Sequence, residues 1–161
     1  MGKVKVAPTA SMQLKHQIKN DQSVFAKSFF KWTPHEKQVE IFEATRNPLN
    51  KVITISAGRR GGKSEAVSID ALHYGITHES TIQFIISATN DQATIIFSKM
   101  LQFLTSKNTI YNSFVRDVKR GPHPKITLVN GSVIEFRSAQ NGGVYIRGHG
   151  AARVRVDEAV Y

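Results

Sequence analysis

The sequence has no cysteine and no long apolar run. Without cysteine there is no disulfide framework and no thiolate metal site. No stretch approaches the roughly 20 apolar residues that cross a bilayer, and residues 1–5 lead into no apolar signal core. The histidines also lack the spacing of metal ligands. These absences predict a protein that works in a reducing cytosol, without secretion or a membrane span.

Acidic residues are few relative to basic ones. The chain has 22 Lys and Arg against 12 Asp and Glu, a formal charge of +10 that is spread along its 161 residues. A field of this sign favours a polyanionic partner, nucleic acid first of all, because phosphate neutralisation releases counterions. The alternative is that the basic side chains only solvate the surface. The length suits one domain, and the hydrophobic content of 40% suits a folded chain.

The first half of the chain divides into an arm and the start of a domain. Residues 1–24 are polar and Lys-rich, which predicts a flexible basic arm, and 25–161 would form the domain. Thr33-Pro34-His35-Glu36 reads as a capping box with proline in the first turn, so we expect a helix over about 34–46. The β-rich run 51–56 predicts a strand, and apolar positions 66, 69, 72 and 76 predict a helix after a glycine-rich turn.

The second half continues the alternation of strand and helix. Residues 81–87 predict a strand, and the amphipathic pattern from Asn90 to 104 predicts a helix. Asn130-Gly131 between two apolar runs predicts a β-hairpin with a type I′ turn. A last strand is expected over 153–156. This order predicts an α/β fold, with a parallel sheet flanked by helices and a hairpin insertion.

The segment after the first predicted strand matches a phosphate-binding loop. Apart from Ala57 in place of the first glycine, it follows the pattern G-x-x-x-x-G-K-[ST]. Glycines let successive amide N–H groups surround an anion, and the next helix directs its positive end at the phosphates. The alternative is a glycine-rich turn beside a chance Lys-Ser, but the strand and helix on either side favour the loop. The predicted nucleotide-binding residues are Gly58, Arg60, Gly61, Gly62, Lys63 and Ser64.

Two adjacent carboxylates, Asp157 and Glu158, end the last predicted strand. In phosphoryl transfer an aspartate at this position holds the water shell of Mg²⁺, and a neighbouring carboxylate orients the attacking water. We therefore predict Ser64 and Asp157 as metal ligands and Glu158 as the catalytic base, with Lys63 on the β- and γ-phosphates. A strand that ends in Asp-Glu means little alone. Because it occurs in the same sequence as the predicted phosphate loop, we interpret it as part of the catalytic site.

Other polar residues have open roles. Arg59 and Arg60 in the loop, and Arg147 in Ile146-Arg147-Gly148, are candidates for the cation that stabilises a transferred γ-phosphate. Spacing alone equally allows them to face DNA or solvent. Gln38 on the first predicted helix is a candidate adenine contact, and an exposed helical glutamine is the alternative.

These motifs together resemble the ATPase domain of large terminase subunits, the DNA-packaging motor proteins of tailed bacteriophages. The resemblance spans about 32–161, from the Trp32-to-Gln38 lead-in and the loop through the 87–93 segment to Val156-Asp157-Glu158-Ala159. It implies a RecA-like P-loop NTPase fold with ATP and Mg²⁺. It also implies that Gln38 contacts adenine and that Arg59 senses or stabilises the γ-phosphate. Arg147 resembles the arginine finger that one subunit of a ring inserts into the nucleotide site of its neighbour.

The resemblance extends to partners and activity. It implies double-stranded DNA, a portal protein and a small terminase subunit as partners, a homo-oligomeric ring, and action in the host cytoplasm rather than in the mature virion. Members continue with a coupling motif and a nuclease domain, so we expect this chain alone to bind nucleotide, to hydrolyse it weakly and to cut no DNA. The alternatives are a helicase-like DNA-dependent ATPase and a nucleotide- or DNA-binding fragment without turnover.

Overall fold

The computed structural model describes residues 9–56, 58, 61–106, 108–139 and 150–157. Its helices are α1 (Ala10–Asn20), α2 (Gln22–Phe30), α3 (Glu36–Arg46), α4 (Lys63–Thr77), α5 (Asn90–Thr105) and α6 (Asn108–Phe114). Its strands are β1 (Ile82–Ser87), β2 (Val115–Lys119), β3 (Lys125–Leu128), β4 (Val133–Ser138) and β5 (Arg153–Asp157). Within these ranges no helix is both long and apolar enough to span a membrane.

The five strands form one sheet in the order β2-β3-β4-β1-β5. β1 is parallel to both β4 and β5, while β3 runs antiparallel to β2 and β4. The predicted α/β class with a mostly parallel sheet is therefore confirmed. A core of buried side chains lies between the sheet and the helices α4 and α5, with members such as Ile69, Leu72, Ile85, Ile96, Met100 and Phe136. This core fixes α4 on one face of the sheet.

Two N-terminal helices were not expected. α2 packs its aromatic side chains into the core, with Phe25 fully buried, and Gln22 in its first turn is 2% exposed. The predicted domain boundary between residues 24 and 25 therefore falls inside a helix. The mobility of the basic arm stays a prediction, and residues 1–8 lie outside the described ranges.

The prediction of a strand at 51–56 is wrong for this structure, in which the segment belongs to no described strand. Val52 in it is 86% exposed. A β-rich composition favours the backbone conformation of a strand, but a strand also needs a neighbour for its N–H and C=O groups. None of the five strands offers the segment that pairing.

The predicted helix over 34–46 is confirmed as α3, but its cap differs. His35, and not Thr33, is the N-cap residue, and its backbone N–H donates to Gln38 Oε1 at 3.0 Å. Pro34 thus precedes the helix. The Gln38 side chain, three residues beyond the N-cap, accepts the His35 backbone N–H that would otherwise be unsatisfied at the helix start.

The predicted hairpin is confirmed as β3 and β4, but the turn is not of type I′. Gly131 has φ +83°, whereas Asn130 is not among the residues with positive φ, and type I′ requires both. The Gly131 N–H donates to the Leu128 carbonyl at 3.1 Å. The Asn130 side chain instead caps α4, because its Nδ2 donates to the carbonyls of Gly75 at 2.8 Å and Ile76 at 3.2 Å.

Candidate nucleotide site

The glycines of the predicted phosphate loop form a tight turn directly before α4. The Gly61 N–H donates to the Gly58 carbonyl at 3.1 Å, and Gly62 is the N-cap of α4 with φ +67°. Glycine adopts this left-handed conformation without the strain that a side chain would add. Lys63 and Ser64 therefore occupy the first turn of the helix, where free amide N–H groups and the positive end of the helix dipole favour an anion.

Gln38 holds this loop in place from the neighbouring helix. Its Nε2 donates to the Gly62 carbonyl at 3.0 Å, while its Oε1 accepts the His35 N–H. The side chain is 3% exposed, and a Cβ added to Gly62 would overlap its amide group. Both ends of the Gln38 amide thus bind the protein itself. The adenine contact stays a prediction, and the observed contacts give this residue a role in bracing the loop.

The strand β5 brings Asp157 to the same edge of the sheet as the loop. Arg153 stacks on Tyr74 of α4, at 4.1 Å from its ring centroid, and Arg155 binds Asp70 one turn earlier in the helix. Two residues of a strand and one helical turn advance by about 6 Å. The same advance by another two residues places Asp157, on the same face of β5, level with Ala66 in the first turn of α4.

A buried ion pair links α4 to β5 behind this edge. The Arg155 guanidinium binds Asp70 Oδ2 through Nε at 2.9 Å and Nη2 at 2.6 Å. Its Nη1 donates to Gln83 Oε1 at 2.6 Å. Gln22 Nε2 donates to Asp70 Oδ1 at 3.0 Å. The helix that carries Lys63 and the strand that carries Asp157 are thus fixed to each other by charge-assisted hydrogen bonds.

Electrostatics keep Asp70 ionised although its side chain is only 4% exposed. Burial alone would raise the pKa of this carboxyl, but the charge of Arg155 and the hydrogen bonds from Gln22 and Arg155 hold the pKa below its ordinary value. Sequence reasoning missed both residues. In the sequence, Asp70 is a charged residue on the apolar face of a helix, and Arg155 is a charged residue in a strand. Neither pattern indicates which residue would be its ion-pair partner.

Comparison with known proteins identifies the family. Residues 54–161, about two thirds of the chain, match the family model described as "Terminase large subunit, T4likevirus-type, N-terminal". The chain belongs to the large terminase subunit family. Comparison with the curated proteins gave no match. This assignment agrees with the resemblance drawn from the loop and the paired carboxylates.

Solved structures show the same terminase fold. The ATPase domain of the large terminase of Thermus phage P74-26 superposes with a TM-score of 0.64 at 24% identity, over 83% of this chain and 56% of that chain. An arginine-to-alanine variant of that domain superposes with a TM-score of 0.60 at 22% identity, with the same coverage. The chain thus spans 56% of the length of each of these structures. At this level of sequence identity, the structural similarity establishes the fold alone.

Several predicted site residues of the terminase chain lie outside the described ranges. These are Arg59, Arg60, Arg147 and Glu158, so their roles stay predictions. Ser87, to which the sequence analysis gave no role, ends β1 in register with Asp157. Its hydroxyl is buried, and within the described ranges it has no hydrogen-bond partner. A buried hydroxyl without a partner, in register with the predicted metal ligand Asp157, is an available donor at this edge.

Metal ligands are scarce in this part of the terminase. Among the described residues, no group of three or more His, Asp or Glu side chains could hold a metal ion alone. Ser64 and Asp157 offer a hydroxyl and a carboxylate, the hard oxygen donors that suit Mg²⁺, an ion that normally keeps several waters and binds substrate phosphates. The donor set therefore fits Mg²⁺ that arrives with a nucleotide.

Proposed function

We propose that this chain binds MgATP at the amino end of α4 and, as part of the complete terminase, hydrolyses it to move double-stranded DNA into a procapsid. The observation that carries the proposal is the glycine turn at the amino end of α4, which places Lys63 and Ser64 in the first helical turn, on a helix that Asp70 and Arg155 tie to the strand ending in Asp157. Membership of the family supports it. The role in translocation follows from the family alone.

Each residue has a defined part in the proposed reaction. The loop amides and Lys63 bind the β- and γ-phosphates, which orients ATP and draws negative charge toward the cation. Ser64 and Asp157 would hold Mg²⁺, which supplies charge neutralisation on the phosphate oxygens when bound. Glu158 takes the proton of the attacking water. Arg59 or a neighbouring subunit's Arg147 stabilises the charge of the γ-phosphoryl group in transit.

Titration with a fluorescent ATP analogue tests the site. Lys63→Ala should weaken binding of the Mg complex by about tenfold or more, because a hydrogen bond to a charged group contributes about 1.5–3 kcal/mol. Lys37→Ala, which removes the same charge from exposed α3, is the matched control and should leave affinity unchanged. Circular dichroism checks the fold of both variants. Equal affinity of a folded Lys63→Ala variant and the unsubstituted chain would contradict the proposal.

A further inference from the structure

A polar cavity lies at the carboxyl end of α4, away from the predicted phosphate loop at its amino end. Its volume is about 220 Å³, which equals the share of about seven water molecules in the liquid. The carboxyl ends of α1, α3 and α4 and the first residue of β5 surround it. We call it the basal pocket, and the lining residues that matter here are Lys19, Arg46, Arg153, Gln22, Tyr74 and His78.

Positive charge in the basal pocket exceeds what the nearby carboxylates neutralise. Asp21 binds Arg46 at 2.8 Å and so compensates that cation. Asp70 binds Arg155 at 2.6 Å but lies 3.6 Å from Arg153, so its charge serves mainly Arg155, which does not line the pocket. The charge of Arg153 is therefore only partly neutralised.

No carboxylate balances the remaining cation of the pocket either. Lys19 forms no ion pair among the described residues, and no Asp or Glu lines the cavity. Burial lowers the pKa of His73, which also borders the cavity, so this ring adds no charge near neutrality. The result is a pocket in which Lys19 has no ion pair among the described residues and Arg153 shares a single carboxylate with Arg155.

Helix ends oppose this charge only in part. Three helices direct the negative ends of their dipoles toward the pocket, and this attracts Lys19 and Arg46, which lie in last turns. However, several final carbonyls already have partners. Asn130 caps α4, and His73 Nε2 lies 3.0 Å from the Ile18 carbonyl in the last turn of α1. Full side-chain charges therefore outweigh the residual partial charges.

The guanidinium of Arg153 is held ready for a ligand. It lies over the Tyr74 ring at 4.1 Å from the centroid, and its Nη2 donates to the Thr45 carbonyl at 3.3 Å. Tyr74 in turn stacks on His78, with centroids 4.1 Å apart. A stacked, tethered guanidinium loses little rotamer freedom on binding, and its planar donor array suits phosphate oxygens.

We propose that the basal pocket is a second phosphate-binding site, which takes a backbone phosphate of a nucleic-acid strand between Lys19 and Arg153. It is separate from the nucleotide site, because Ser64 and Tyr74 are about 15 Å apart along α4 at 1.5 Å per residue. A phosphodiester carries the single negative charge that two cations attract, and the cavity has room for the phosphate with attached sugar atoms.

Salt-dependent binding of a short duplex DNA to the full chain tests the proposal. Lys19→Ala should weaken binding and lower the slope of log K against log salt by about 0.9, the value for one lost phosphate contact. Arg153→Lys keeps the charge but loses the stacked planar group, so affinity should fall at an unchanged slope. Lys27→Ala, an exposed lysine outside the pocket lining, is the charge-matched control and should change neither.

Inorganic phosphate distinguishes a free ion from a strand as the ligand. If phosphate alone shifts the NMR signals of the Tyr74 and His78 rings, and Arg153→Lys removes the shift, the phosphate chemistry of the pocket is supported. Retention of DNA affinity and slope in Lys19→Ala, together with silent ring signals in phosphate, would overturn the proposal. An equal loss in Lys27→Ala would overturn it too, since net charge alone would then explain binding. Thermal melts check that each variant folds.

Discussion

Replacement of Arg155 by methionine tests the energetic weight of the buried pair with Asp70. Methionine keeps the apolar stem but removes the charge, so the Asp70 carboxylate, with a side chain 4% exposed, loses the guanidinium that donates twice to its Oδ2. Removal of one member of a buried pair costs about 3–5 kcal/mol, a large part of the usual 5–15 kcal/mol of net stability. For a chain of this length the Tm should fall by roughly 10 °C.

The loss should depend on pH in a definite direction. In the folded chain the pKa of Asp70 lies below its ordinary value of 3.8, so the pair stabilises the fold above that pH, and this stability is lost as the pH falls through the folded-state pKa. In Arg155→Met we expect burial to raise the pKa of Asp70, opposed only by Gln22 and the more distant Arg153. The stability deficit of the variant should therefore be full at pH 7 and shrink as the pH approaches 4.

Urea denaturation followed by far-UV circular dichroism at pH 7 and pH 4.5 measures both effects. The double variant Asp70→Asn with Arg155→Met buries no unpaired charge and keeps an acceptor for Gln22, so it should recover much of the loss. Lys37→Met, which breaks an exposed pair with Glu40, is the control and should leave the midpoint unchanged. A deficit below about 1 kcal/mol, or one that is the same at both pH values, would refute the reasoning.

Three further predictions concern the nucleotide site. Gln38→Ala should weaken binding of ATP and GTP analogues equally if the residue braces the loop through Gly62, whereas a selective loss for ATP in competition titrations would restore the adenine contact. Gly62→Ala should abolish binding of the fluorescent analogue, because its φ of +67° and the Gln38 amide leave no room for a Cβ; retained binding would contradict the loop geometry. Glu158→Gln in the complete terminase should abolish steady-state phosphate release while nucleotide affinity is kept, and undiminished release would remove Glu158 from the role of base.

Local patterns in the sequence were sufficient for the elements around the site. Apolar spacing predicted α4 and α5, a strand was predicted over 153–156, and the glycines with Lys63 and Ser64 predicted the loop, because each depends on residues close together in sequence. Since Asp157 is the last residue of the parallel strand β5, its place at the carboxyl edge was also predicted by the order of the elements alone. The family model then confirmed the resemblance to large terminase subunits.

Long-range pairing was beyond local reasoning. The run 51–56 has the composition of a strand, but strand status depends on a neighbour elsewhere in the chain. Nothing in the sequence places the Gly62 carbonyl beside Gln38, so the bracing contact was not predicted. The partnership of Asp70 with Arg155 joins residues 85 positions apart, and only the packing of α4 on β5 reveals it.

The contact of Asn130 with the end of α4 has a consequence for the kinetics of folding. The β3–β4 hairpin closes through neighbours in sequence, whereas the bond from Asn130 to the Gly75 carbonyl spans 55 residues. Contacts that close long loops form late, since the entropy of closure precedes any gain. Loss of this amide in Asn130→Ala should therefore accelerate unfolding more than it slows folding. We therefore expect this side chain to slow unfolding by holding α4 against the hairpin after the core has assembled.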